Sequence, residues 1–169
     1  MPNSNLDALS TEDLETWSSL ATVLEWLPPA LDAQLMRDSD MTHFEHGVLF
    51  ALANAPELTL RMSVLAGYAN SSLSRLSRAA TRLEARGWML RTPDPIDGRF
   101  TLATLTERGV EALNQSTPEH VRIVNRLVLE PLTRQQKRQL LEINRRILRA
   151  IRVEEGWQPP NTATPTTET

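Results

Sequence analysis

Residues 62–87, MSVLAGYANSSLSRLSRAATRLEARG, decide the fold. Met62 to about Ala69 reads as a short helix with Val64, Leu65 and Tyr68 as packing candidates. Asn70, Ser71 and Ser72 are cap-type residues after a tight turn, and a second helix runs from there to about Arg86, where Gly87 stops it. Two helices joined by so short a turn predict a helix-turn-helix. On the second, Leu76, Ala80 and Leu83 share one face, with Ala79 at its edge. Ser71, Ser74, Arg75, Ser77, Arg78, Thr81 and Arg82 project elsewhere, centred on Ser74 and Arg78, and that face carries no carboxylate. Small hydroxyls permit close approach, and guanidinium forks match guanine edges and phosphates, so the face suits insertion into a DNA major groove. Arginines and serines also serve a simply solvated helix face, and on composition the two readings stand side by side.

The chain beyond Gly87 sharpens the pattern. WMLRT (88–92) and FTLATLT (100–106) are strand-like runs flanking a turn rich in proline and aspartate, which predicts a β-hairpin with a long loop. Upstream, Thr42 to Glu45 fits a capping box, and Phe44, Val48, Leu49 and Leu52 supply an apolar stripe for a helix ending near Ala53. Ser10 with Asp13 opens a long amphipathic helix whose Leu14, Trp17, Leu20, Leu24, Leu27, Leu31 and Leu35 recur at helical spacing. Pro28 and Pro29 remove backbone donors, so a kink or break is expected near Leu27, with the helix ending over Arg37 to Asp40. Thr106 caps a fifth helix to about Leu129, with a bend expected at Pro118, and Thr133 with Gln136 caps a sixth to about Val153. Ile123, Leu127, Leu140, Leu141, Ile143, Ile147, Leu148 and Ile151 give these last helices apolar faces that a small helix-turn-helix domain does not need. They suit packing against a second copy of the chain.

Composition bounds the function. A chain of 169 residues, 40% hydrophobic, buries a real core, and with no cysteine it holds no disulfide, thiol nucleophile or thiolate metal site. The polar, acidic start and the absence of a long apolar run suggest neither secretion nor membrane spanning, so a cytoplasmic protein is expected. The net charge of −3 hides an uneven distribution: residues 1–60 carry one arginine against ten carboxylates, whereas residues 61–108 carry eight arginines against four carboxylates. No nucleophile elbow, phosphate-binding loop, dinucleotide fingerprint or metalloprotease motif occurs, so no enzyme is expected. His43 and His46 stand i, i+3 on one helix, a spacing that can serve a metal, but helix-end histidines more often only hydrogen bond, and no metal or cofactor is assigned.

The segments LTLRMSVLAGYANSSLSRLSRAATRLEARGW (58–88) and RTPDPIDGRFTLATLTERG (91–109) carry a closer resemblance. Leu83-Glu84 before Gly87, the hairpin motif Asp97-Gly98-Arg99, and Leu105-Thr106 followed by Gly109 resemble the winged helix-turn-helix of the MarR family of bacterial transcriptional regulators. The flanking helices match as well, over about residues 11–153. The resemblance implies a mainly α fold with a small β-wing. It divides into a disordered start (1–10), an N-terminal dimerisation helix (11–40), a winged helix-turn-helix (41–108), C-terminal dimerisation helices (109–153) and a disordered tail (154–169).

The implied function is a cytoplasmic homodimer that binds double-stranded DNA at a pseudo-palindromic operator, a repressor relieved by a small aromatic effector. Ser74, Arg75, Ser77 and Arg78 match recognition-helix positions that meet DNA. Arg99 matches the wing arginine that enters the minor groove, and Asp97 the aspartate that supports the wing. Outside the resemblance, an Asp97–Arg99 pair is also an ordinary ion pair of an exposed turn. Leu73, early in the recognition helix, packs on the preceding helix or meets a thymine methyl. Trp17, Trp26, His43, His46 and Tyr68 are the candidate lining of an effector cleft, although aromatic residues at helical spacing also build ordinary core. A winged-helix module that binds protein and not DNA is the alternative, because the acidic first 60 residues would repel DNA.

Overall fold

Side-chain caps set the helix starts. The Ser10 hydroxyl accepts from the Asp13 N–H, Ser72 from Arg75 N–H and Thr106 from Gly109 N–H, while Thr42 with Glu45 and Thr133 with Gln136 form reciprocal capping boxes. The computed structural model describes residues 9–155, with side chains to Ile151; the predicted start and tail fall almost entirely outside the described residues. The elements are α1 (Thr11–Ser39), α2 (His43–Ala53), β1 (Thr59–Arg61), α3 (Met62–Tyr68), α4 (Leu73–Ala85), β2 (Met89–Pro93), β3 (Thr101–Leu105), α5 (Glu107–Val124) and α6 (Arg134–Glu155). A π-helical turn, Asn125–Leu129, follows α5.

The prolines break neither helix. Helix α1 runs unbroken through Pro28 and Pro29, and α5 through Pro118. The prolines of α1 deprive the carbonyls of Leu24 and Glu25 of their helical donors, but both residues lie on an exposed stretch where solvent can take the donors' place. Helix α1 ends as expected, at Asp40 in the left-handed region (φ 49°), and Gly87 (φ +70°) stops α4.

The hairpin forms as predicted, with Met89 paired to Leu105 and Pro93 to Thr101, and a third strand joins it. Strand β1 pairs antiparallel with β3 through Thr59–Thr104, Leu60–Ala103 and Arg61–Leu102, giving the order β1-β3-β2. The sheet and the helix-turn-helix share one core of Leu35, Val48, Leu49, Leu52, Met62, Leu65, Leu76, Leu83, Met89 and Leu105, reached by Leu113 of α5. Within α3 the buried residues are Met62, Leu65 and Ala66; Val64 and Tyr68, expected to pack, are exposed because they lie off the i, i+3, i+4 face that meets α4.

The wing joins α5 through two contacts. The Thr106 hydroxyl donates to the Gly87 carbonyl at 2.7 Å, and Gly109 lies so close to the Trp88 carbonyl that a Cβ there would overlap it. Helices α2 and α5 meet through the chain's three histidines: the His120 ring lies 5.3 Å from His43 and 4.5 Å from His46. Burial, then the neighbouring His120 and His43, pushes His46 down to about 4, and burial lowers His120 as well. His43 Nδ1, His46 Nε2 and His120 Nδ1 have no hydrogen-bond partner among the described residues, so the expectation that the α2 histidines serve as hydrogen-bonding helix-end groups fails for His43 Nδ1 and His46 Nε2. It is the His43 backbone N–H that bonds, to Asp32 at 2.6 Å.

Large apolar residues stay uncovered on α1 (Trp17, Val23, Leu24, Trp26), α5 (Val121) and α6 (Leu141, Ile143, Ile147, Leu148, Ile151). Gly109→Ala should lower the unfolding free energy by about 1–3 kcal/mol, because α5 must back away from Trp88; an unchanged denaturation midpoint would contradict the joint. The histidine cluster gives a pH signature. His46 resists protonation in the fold, so the unfolded chain binds more protons between about pH 4 and 6.5 and stability falls as pH drops through that window. Melting curves of the parent should show a larger loss between pH 6.5 and 4.5 than those of His46→Leu; parallel losses would contradict the assignment.

Candidate nucleic-acid interface

Helix α4 buries Leu76, Ala79, Ala80 and Leu83 and leaves the opposite side to solvent. Ser74, Arg78 and Thr81 form the middle of that side, with Ser74 3.1 Å from the Ser72 hydroxyl and Arg78 making no ion pair among the described residues. One edge leans on α2: the Arg75 guanidinium lies 4.3 Å over the Phe44 ring, and Arg82 Nε donates to Glu45 Oε1 at 2.6 Å. Burial pushes the Glu45 carboxyl up, but the Thr42 N–H and the Arg82 guanidinium outweigh it and hold the group below the usual carboxylate range.

The other edge is tied to the wing by Arg91. Its Nη1 donates to Ser77 Oγ at 3.1 Å and its Nη2 to Thr81 Oγ1 at 3.0 Å, while Nε and Nη2 hold Glu84 at 2.9 and 2.5 Å. Thr81 also donates to the Ser77 carbonyl, so its hydroxyl is committed within the protein. Ser77, assigned to DNA from sequence, is half-buried, and its oxygen already accepts from Arg91.

In the wing two aspartates divide the work. Asp94, 6% exposed, receives Arg61 Nε at 2.9 Å and Nη2 at 2.7 Å together with the backbone N–H groups of Ile96 and Asp97. The Ile96 N–H and Arg61 hold its carboxyl below the usual range. Arg61 in turn lies 4.4 Å over the Phe100 ring, which accounts for so large a residue beside the wing tip. Asp97 grips Arg99 directly, receiving its backbone N–H at 3.2 Å, Nε at 2.9 Å and Nη2 at 2.6 Å, with the Arg99 side chain 85% exposed. Arg99, Phe100, Ser77 and the exposed Leu73 line one crevice of about 300 Å3 between α4 and the wing, so the wing arginine lies beside the Ser77 edge of the helix.

Sequence reasoning singled out none of Asp94, Arg61 and Arg91, and marked Glu84 only as part of the Leu83-Glu84 motif, with no role. The Pro93-Asp94-Pro95 turn did carry a signal, since an aspartate between prolines is placed to accept from the backbone two residues on. The five candidate effector residues do not converge within one protomer. His43 and Tyr68 line a groove of about 850 Å3 with Phe44, Gly47 and Phe50; His46 faces His120; Trp17 and Trp26 are exposed on α1. Among the described residues, no group of histidines and carboxylates is arranged to hold a metal ion, and no helix is long and apolar enough to cross a membrane.

With this geometry in view, the comparisons with known proteins agree on one family. The family model for MarR matches residues 41–101. Sco3205, a MarR family transcriptional regulator from Streptomyces coelicolor solved in complex with DNA, is 41% identical over 89% of this chain and 94% of its own, with a TM-score of 0.80. AbsC, a MarR family transcriptional regulator from the same organism, is 28% identical over 85% of this chain and 97% of its own, also with a TM-score of 0.80. PcaV from Streptomyces coelicolor shares the fold at 23% identity and a TM-score of 0.65, over 76% of this chain and 91% of its own. Among curated proteins none matches. The chain belongs to the MarR family of transcriptional regulators.

Proposed function

We propose that this protein is a homodimeric, sequence-specific DNA-binding regulator that places one α4 in each of two successive major grooves and one Arg99 in each flanking minor groove. The observation that carries this reading is the exposed, carboxylate-free middle of α4, Ser74 to Arg78, on a helix whose Ser77 edge shares a crevice with a wing arginine already oriented by Asp97. Preorganisation matters because an arginine held in place has less side-chain entropy to lose on binding. The Sco3205 complex supports the reading, since a relative of 41% identity binds DNA with this fold.

The dimer reading rests on the large apolar residues of α1, α5 and α6 that stay exposed among the described residues. Two-fold symmetry then sets the spacing of the two half-sites near one helical turn. A dimer seated on two grooves represses when its operator overlaps a promoter. A small aromatic effector fits the groove lined by His43, Phe44 and Tyr68, where a rigid ring would bear on α2 and the end of α3.

Arg99→Ala should weaken binding to a duplex selected by the protein from a random pool by about tenfold or more, leaving dimerisation and melting temperature nearly unchanged. Equal affinities in an anisotropy titration would remove Arg99 from the interface. Arg78→Ala should also compress the ratio between selected and unrelated duplex, because a base-edge contact carries specificity that a phosphate contact lacks. A fixed ratio with lower affinity would make Arg78 a phosphate contact. Ile147→Glu together with Leu148→Glu should turn the sedimenting species from dimer to monomer; a dimer that persists would contradict the assigned face.

A further inference from the structure

Arg75, Arg78 and Arg82 stand three and four residues apart on α4, so they form one stripe. With Asp32, Thr42 and Phe44 they line a crevice of about 160 Å3 between the start of α2 and the recognition helix. Two of the three guanidiniums are fixed by the protein. Phe44 backs the flat face of Arg75 at 4.3 Å and leaves its N–H edges free, and Glu45, buried and locked in the α2 cap, takes only Nε of Arg82 and leaves both Nη groups uncommitted. Both acidic neighbours already accept hydrogen bonds: Asp32 from the His43 N–H, and Glu45 from Thr42 and from Arg82 itself. Three cations facing two occupied carboxylates leave a positive crevice whose donors fit a tetrahedral oxyanion.

We propose that this crevice seats one phosphate of the DNA backbone, with Arg75 and Arg82 as a clamp at the α2 edge of the recognition helix and Arg78 extending past them toward the bases. The assignment rests on the DNA-binding reading above and gives its recognition-helix arginines separate tasks. A phosphate beside the groove fixes the register of α4, and the bases supply the sequence information. The clamp's preset geometry sets how far α4 enters before Arg78 and Ser74 meet base edges. Arg82, which sequence analysis placed on the polar face without a role, becomes a phosphate ligand.

The test uses the full chain and the self-selected duplex, with affinity measured by anisotropy from about 50 to about 200 mM KCl. Arg75→Gln and Arg82→Gln should each flatten the slope of log affinity against log salt by about 0.9 and weaken selected and unrelated duplexes by the same factor, while Arg82→Lys keeps the parent slope. A neutral methylphosphonate stepped along the duplex should weaken the parent at one symmetric pair of positions and leave the two glutamine variants insensitive there. Arg75 has no ion pair, so Arg75→Gln keeps the test open if Arg82→Gln unsettles Glu45 and the fold. Unchanged slopes in a parent that binds DNA, or a specificity ratio that collapses in Arg75→Gln, would overturn the clamp alone. If inorganic phosphate binds the parent, is lost from Arg82→Gln and leaves the parent's DNA affinity unchanged at constant ionic strength, the crevice holds free phosphate and the backbone assignment is overturned. A parent that retains no DNA at the lowest salt would instead overturn the DNA-binding reading.

Discussion

The buried carboxylate of Glu45 is the joint on which the DNA-facing side is built. Only 4% exposed, it accepts from the Thr42 N–H at 2.8 Å and the Thr42 hydroxyl at 3.0 Å, starting α2, and from Arg82 at 2.6 Å, fixing α4 against it. A carboxylate so enclosed is costly unless each lone pair is used, and here the charge-assisted bonds to two elements meet that cost. The same first turn of α2 holds α1 through the His43 N–H and Asp32, and meets α5 through the histidine rings. One helix start therefore touches three other helices, and the orientation of α4 follows from it.

The opposite edge of α4 is fixed by Arg91, which bonds to Glu84, Ser77 and Thr81, and the wing beyond it by Asp94 and Arg61. These pairs answer the concern raised by the acidic first third of the chain. The carboxylates near the recognition helix are engaged: Asp40 by Arg86, Glu45 by Arg82 and Asp32 by a backbone N–H. Local pairing, not the net charge of −3, sets the potential that a nucleic acid meets at close range, since screening at physiological salt reduces the influence of charges beyond about 8 Å. Arg78, the N–H edges of Arg75, the Nη groups of Arg82 and the outward edge of Arg99 remain for a ligand among the described residues.

Local signals made most of the fold legible. Caps at Thr42, Ser72, Thr106 and Thr133, the apolar stripe of α4 and the stop at Gly87 each depend on residues within one or two turns, and each element formed close to its predicted bounds. Strand β1 escaped notice because three residues leave no periodicity, and its partner β3 lies over forty residues away. The prolines of α1 misled because the cost of a lost helical bond depends on whether the orphaned carbonyl reaches water, which spacing does not reveal. In the wing, the hairpin motif drew attention to Arg99 and Asp97, and the two are bonded directly. Asp94 was hidden because it resembles any turn aspartate until β1 brings Arg61 onto it. His120 was hidden because its partners lie on another helix, more than seventy positions earlier.

The first turn of α2, the arginine stripe and the braced wing all bear on one claim: two winged units, related by two-fold symmetry, read DNA from one side. Hydroxyl-radical footprinting of the native protein on its self-selected duplex tests that claim most directly. The account predicts two-fold symmetric protection, with two strongly shielded patches about one helical turn apart and a flanking minor-groove patch outside each. A single unsymmetric patch, or a cleavage ladder identical to that of free DNA, would contradict it.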